Sequence, residues 1–233
     1  MIGLDRYPFC LPLQVDAGAE VDAAFERWGH EVRFFEIWLD YLSDRTVERV
    51  VGWAEAYPGR CVFLFRRRPG EAVTATALER RAFWRALAPL SAWIDLDHRI
   101  FGDEIEFVRS LGGRATGIVS HHDFERTPPR GALSSLVDDL SRVWPEAVVK
   151  IATRCVVPGD AEALIDLAAQ LAKRGAPRFT ILGMGEAGRA VRIANARLGN
   201  VMNFAPADTR GASAPGQIPL AELRAILGEE VAA

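Results

Sequence analysis

Ala147-Val148-Val149-Lys150-Ile151-Ala152-Thr153 is a short, largely β-branched apolar run, and it reads as a buried strand with one lysine inside it. Lys and Arg together number 28, yet lysine occurs only at Lys150 and Lys173. Wherever this chain needs a plain positive charge it uses arginine. Burial disfavours the ammonium and lowers its pKa toward the free amine. Arginine cannot lose its proton in a protein, whereas lysine can. A neutral amine is what Schiff-base formation with a carbonyl requires. The competing reading is a lysine at the strand mouth whose head group is solvated or paired, as most lysines are.

Outward from this strand the chain alternates short apolar runs with amphipathic stretches. Strands are expected at 9–15, 34–40, 61–66, 92–97, 116–121, 147–152, 178–183 and 201–205. Helical patterns fall between them, at 20–28, 78–90, 103–111, 132–143, 160–174 and 188–198, with a last helix at 219–227. Eight strands, each followed by a helix-like segment, within 233 residues predict an α/β chain forming a single (β/α)8 TIM barrel over 1–233. A doubly wound open sheet is the runner-up, though it usually carries fewer strands. No linker, low-complexity stretch or sequence-level repeat divides the chain.

Composition narrows the class of function. The chain is 49% hydrophobic and 25% charged, with a net charge of −3, as expected of a soluble globular protein. The sequence pI is about 5.9 and no basic stripe with interleaved aromatics occurs, which argues against nucleic acid. No apolar run approaches the ~18 residues of a membrane span. The N-terminus lacks signal-peptide architecture. Cys10, Cys61 and Cys155 are odd in number and lie in or beside apolar segments, so they read as reduced thiols in a cytoplasmic protein. No CxxC or HExxH pattern offers a metal site.

In such a barrel, catalytic groups belong at the C-terminal ends of the strands. Polar residues collect there: Glu36, Trp38 and Asp40; Arg66-Arg67-Arg68; Asp95 and Asp97; Ser120-His121-His122-Asp123; and Lys150. After the eighth strand comes a loop, 206–219, long enough to act as a lid. A lone strand-end histidine is more often structural than catalytic. Here the next strand carries Lys150, and an amine beside an imidazole supplies the nucleophile and acid/base of imine chemistry. One arginine of 66–68 could bind an anion, although such runs are usually solvated. Gly183-x-Gly185-x-x-Gly188 has the form of a dinucleotide fingerprint, but it comes late and lacks its βαβ context, and a barrel turn explains it equally well.

Four stretches together resemble the type I 3-dehydroquinate dehydratases. They are Ile118-Val119-Ser120-His121-His122-Asp123-Phe124-Glu125-Arg126-Thr127-Pro128, Val149-Lys150-Ile151-Ala152, Met184-Gly185 through Arg192, and Ala212-Ser213-Ala214-Pro215-Gly216-Gln217-Ile218. The resemblance spans about 9–227 and implies a (β/α)8 barrel that needs no metal or organic cofactor and acts on a small carboxylated cyclic ketone. The family is commonly dimeric, which leaves a homodimer open. The resemblance places the Schiff-base lysine at Lys150 and the catalytic histidine at His122 rather than His121. It places the carboxylate-binding arginine at Arg192, the lid residues at Ser213 and Gln217, and further substrate contacts at Arg66 and Glu36.

The chain departs from the family pattern in three places. The second-strand pattern Glu-x-Arg-x-Asp is here Glu36-Ile37-Trp38-Leu39-Asp40, so Trp38 stands where an arginine is usual. A glutamate that supports the histidine is replaced by Gly70, with Glu71 one residue later, and Asp97 stands where the fourth strand usually has Glu. Two functions therefore stay in view. One is a lyase on 3-dehydroquinate or, in a divergent paralogue, on a related carboxylated cyclic ketone; the other is a barrel that binds such an acid without catalysis. A different Schiff-base enzyme would share the lysine but leave Ser213 and Gln217 unexplained.

Overall fold

The computed structural model describes residues 6–67 and 70–228. Arg68 lies outside the described residues, as does the N-terminal segment read above for a signal peptide. Eight strands alternate with eight helices: β1 (Phe9–Leu13), α1 (Gly18–Trp28), β2 (Phe34–Trp38), α2 (Val47–Ala56), β3 (Cys61–Leu64), α3 (Ala77–Leu87), β4 (Trp93–Asp97), α4 (Gly102–Leu111), β5 (Thr116–Asp123), α5 (Arg130–Val143), β6 (Val148–Arg154), α6 (Pro158–Arg174), β7 (Phe179–Met184), α7 (Arg189–Arg197), β8 (Asn203–Phe204) and α8 (Leu220–Leu227). All the pairings are parallel, in the order β7-β6-β5-β4-β3-β2-β1-β8. Between β7 and β8 the Val201 N–H donates to the Phe179 carbonyl at 2.9 Å, which brings the two edges together into a (β/α)8 barrel.

The alternation along each strand separates two cores. Outward residues such as Val149, Ile151, Val119 and Ile37 pack with the helices in the larger cluster. Inward residues fill the barrel: Cys10, Phe34, Val62, Ile118 and Val148 belong to a second, smaller cluster. Lys150 is inward by the same alternation, one step above Val148 and beside Ser120 in the β5–β6 register. On β2, β5 and β6 the inward positions change from apolar to polar toward the C-terminal mouth, from Phe34 to Glu36, from Ile118 to Ser120 and from Val148 to Lys150.

Some helix ends carry clear start and stop signals. Thr76 caps α3 through a reciprocal pairing with Glu79, and α6 starts on Pro158 and ends on Gly175 at φ +74 with Lys173 and Arg174 in its last turn. Lys173 therefore serves a helix C-terminus. Helix α2 was not among the expected helices; Thr46 caps it, accepting from the Arg49 N–H. Strands β2 and β3 end two residues earlier than expected, so Asp40 and Arg66 lie just beyond them.

Candidate active site

Lys150 sits on the floor of a cavity at the barrel mouth, 3% exposed. Its Nζ donates to Glu36 Oε1 at 2.9 Å and to Asp95 Oδ2 at 2.7 Å, and lies 4.1 Å from the centre of the Phe204 ring. The head group is therefore both buried and paired. Burial pulls the ammonium toward the free amine, as expected from the apolar strand, but Asp95 and then Glu36 outweigh it, and the net direction is upward. The resting lysine is an ammonium. The expectation of a lowered pKa is corrected by two carboxylates that lie 55 and 114 residues away in the chain.

The same carboxylates are shared among several donors. Asp95 Oδ1 accepts from Ser120 Oγ, which in turn accepts from Arg66 Nη2 at 3.1 Å. Asp95 is held well below the usual carboxylate range: burial would raise it, but Lys150, Arg66 and His122 prevail. Glu36 Oε2 accepts from the Trp38 indole N–H at 2.9 Å. A buried charge survives only if paired and hydrogen-bonded, and Glu36, Asp95 and Asp97 meet that condition through Lys150, Arg66 and His122.

His122 lies inward on β5, two residues beyond Ser120, so both point into the mouth. Its Nδ1 is 2.8 Å from Asp97 Oδ2 and its Nε2 is 3.1 Å from Arg66 Nη1. Arginine can only donate, so Nε2 carries the lone pair and Nδ1 the proton. Burial, reinforced by Arg66, pushes the imidazole down to about 4 despite Asp97. His122 is thus neutral at pH 7. His121 points to the other face, where its Nδ1 lies 2.9 Å from His98 Nε2. Asp97 gives His122 its carboxylate partner. Glu71 instead accepts from Tyr41 Oη at 2.9 Å and Arg67 Nε at 3.0 Å at the surface, so it does not take the place of the supporting glutamate.

Arg192 enters from the first turns of α7, 3% exposed, with Nε and Nη1 lacking a hydrogen-bond partner among the described residues. Burial lowers its guanidinium to about 10, still cationic at neutral pH. Opposite, Gln217 Oε1 accepts the Ser213 N–H at 2.7 Å and its Nε2 donates to Ser213 Oγ at 3.1 Å, which locks the two together. Gly216, at φ +77, has no room for a Cβ against the Gly185 carbonyl, and the Gly185 N–H donates to Pro215 O at 3.0 Å. Gly183 and Gly188 pack backbone to backbone, so these glycines serve strand–helix packing and the seating of the lid.

Every site residue named from the sequence lines this one cavity: Lys150, His122, Arg192, Ser213, Gln217, Arg66 and Glu36. Its remaining wall is apolar, from Trp38, Phe124, Leu182, Met184 and Phe204. The space left free inside is about 30 Å³, and Ser213, Ala214 and Gln217 of the 206–219 loop form part of its wall. Asp95, Asp97 and Ser120 were not singled out as site residues. The detectable signal was the i, i+2 spacing of two acids on an apolar strand. Asp40 lies outside the cavity; its carboxylate accepts the Thr74 and Ala75 N–H groups and fixes the loop before α3. Among the described residues no group of three or more His, Cys, Asp or Glu could hold a metal, and no helix is long and apolar enough to cross a membrane.

The fold and site define a (β/α)8 barrel with a lysine-centred pocket at its C-terminal mouth. Residues 9–230 match the model of the type I 3-dehydroquinase family, and the chain belongs to that family. A 3-dehydroquinate dehydratase from Haloarcula marismortui is 30% identical over 227 residues, covering 92% of each chain. One from Desulfotalea psychrophila is 28% identical over 210 residues, 88% of this chain and 90% of its own. The crystal structure of 3-dehydroquinate dehydratase from Geobacillus kaustophilus superposes with a TM-score of 0.81 over 97% of this chain and 92% of that one; at 22% identity it speaks for the fold.

Proposed function

We propose that this chain is a hydro-lyase that dehydrates 3-dehydroquinate to 3-dehydroshikimate through an imine on Lys150. Family membership supports the overall reaction. The observation that carries the mechanism is Lys150 Nζ held between Glu36 and Asp95 at 2.9 and 2.7 Å, in one cavity with neutral His122 and the cationic Arg192.

Ammonium plus ketone gives iminium plus water, so positive charge is conserved at Nζ. Two carboxylates that hold the ammonium therefore hold the iminium as well, a preorganised field that needs no rearrangement when the bond forms. One ammonium proton first leaves Nζ to expose its lone pair, and the neighbouring carboxylates are within reach of it. The lone pair then attacks C3, and the carbonyl oxygen departs as water.

His122 next takes a C2 proton on Nε2, the ring nitrogen that holds the lone pair. The electrons of the C2–H bond run toward the iminium. Because Arg66 Nη1 faces Nε2 at 3.1 Å, the entering substrate has to displace that contact. Electrons return from nitrogen, the C1–O bond breaks, and the hydroxyl leaves as water with the proton from His122. Hydrolysis of the conjugated iminium releases product and restores the ammonium. Arg192 anchors the carboxylate, with Ser213 and Gln217 closing over it.

All these side chains come from one chain, so a second copy is not needed to complete the site. A cytoplasmic location accords with a small-molecule biosynthetic substrate and with three free, buried cysteines. The test is to incubate the protein with 3-dehydroquinate and follow the conjugated-enone absorbance of the product. A steady rise supports the reading. No rise under conditions where the ligand demonstrably binds favours the non-catalytic barrel.

A further inference from the structure

Trp38 is the one residue of the cavity wall that replaces a charged group of the family pattern with a bulky ring, and its contacts are specific. The indole is 5% exposed and its ring lies 5.8 Å from the Arg66 guanidinium carbon. Its Nε1–H donates to Glu36 Oε2 at 2.9 Å, while Glu36 Oε1 receives Lys150 Nζ at 2.9 Å. Both oxygens of Glu36 are thus engaged from within the protein. That carboxylate borders the amine that would join the ligand, so it is the natural acceptor for a hydroxyl on the carbon next to the carbonyl. Each oxygen already accepts one hydrogen bond, from the indole or from Nζ, so a ligand hydroxyl there shares an acceptor that is already satisfied and gains less than it would from a bare carboxylate. Among the described residues, buried donors without a hydrogen-bond partner lie elsewhere, at Arg192 Nε and Nη1 and at Arg66 Nε.

We propose that Trp38 is a specificity-determining residue that withdraws Glu36 from substrate recognition and so widens the substrate class to carboxylated cyclic ketones lacking the hydroxyl beside the carbonyl. The proposal rests on the lyase reading above and deepens it. Sites built to hydrogen-bond a hydroxyl reject the analogue without it, because their own polar groups are then left unpaired. Here Trp38 already satisfies that polar group. The site accepts either ligand at small cost.

The experiment compares 3-dehydroquinate with the same keto acid lacking the hydroxyl next to the ketone. For the unmodified chain the ratio of the two kcat/KM values is expected within about threefold of unity. Trp38→Phe keeps a ring but removes the N–H, freeing Glu36 Oε2. The ratio should then shift at least tenfold toward the hydroxylated ketone, the size of one hydrogen bond to a charged group. Trp38→Leu, which also lacks the N–H but has no ring to lie over Arg66, should shift it in the same direction. A ratio already above tenfold in the unmodified chain, or one unmoved in both variants, overturns the proposal. If neither ketone is turned over, the lyase reading has failed. The ratio of dissociation constants for the same two compounds, measured by calorimetry, then decides the role of Trp38 by the same criterion.

Discussion

Asp95 and Lys150 form the shortest ion pair of the pocket, 2.7 Å between Oδ2 and Nζ, with both side chains almost wholly out of solvent. Removing one partner leaves a buried charge without its nearer counter-charge, a change that costs about 3–5 kcal/mol in proteins. Asp95→Ala should therefore lower stability by that order in urea unfolding. It should also lower the Lys150 pKa, because Asp95 is the chief group holding it up. A stability loss below about 1 kcal/mol, the scale of an exposed pair, would contradict this picture.

The two adjacent histidines separate by function. His122 faces Arg66 and Asp97 in the cavity, whereas His121 pairs with His98 outside it. Loss of an acid/base group typically costs ~10²–10⁴-fold in rate. His122→Ala should lose turnover on that scale while still forming an imine, and His121→Ala should stay much closer to the parent. Equal losses in steady-state kinetics would refute the assignment.

Acid should affect rate and stability over different ranges. His122 is pushed down to about 4 from 6.5, so it remains the neutral base until pH approaches 4, and the acid limb of kcat/KM that it governs belongs there. Between about 6.5 and 4 the unfolded chain takes up a proton at this residue that the folded chain refuses. The contribution of His122 to stability is therefore complete above 6.5 and lost as pH falls toward 4. A His122→Gln variant should unfold with a flatter pH dependence in that window. An acid limb of kcat/KM near 6.5 that disappears in this variant's residual activity would show His122 to be unshifted.

Much of this site was legible in the chain. The apolar run around Lys150 pointed to its burial, and the family resemblance, not the strand alone, singled out His122 over His121; the register then sets Ser120 and His122 on the same face. What the run could not show was the sign of the Lys150 shift, because Asp95 and Glu36 arrive through barrel closure from strands far away in sequence. Helix α2 went unnoticed because Val47, Val50 and Val51 are β-branched and weigh against helix propensity, leaving the Thr46 cap as the main signal. Proximity in sequence left open whether Glu71 stands in for the missing glutamate; its side chain turns to Tyr41 and Arg67.

Arg192 offers a clean separation of binding from folding. Among the described residues its Nε and Nη1 are buried without a hydrogen-bond partner, so replacing it relieves a desolvated charge and removes no hydrogen bond seen at those two atoms. Arg192→Met should leave thermal stability unchanged or raised, while KM for a carboxylated substrate rises roughly ten- to a hundredfold, the value of a charge-assisted hydrogen bond. Loss of stability with unchanged KM would reverse the assignment.

The central claim is that the bond to substrate forms at Lys150. The direct measurement is to add borohydride to the protein with 3-dehydroquinate present and locate the reduced adduct by peptide mass spectrometry. The account predicts a single adduct on the peptide carrying Lys150, none on Lys173 at the exposed end of α6, and none in Lys150→Met. Turnover of 3-dehydroquinate with no adduct at Lys150, or an adduct on Lys173 alone, would contradict it.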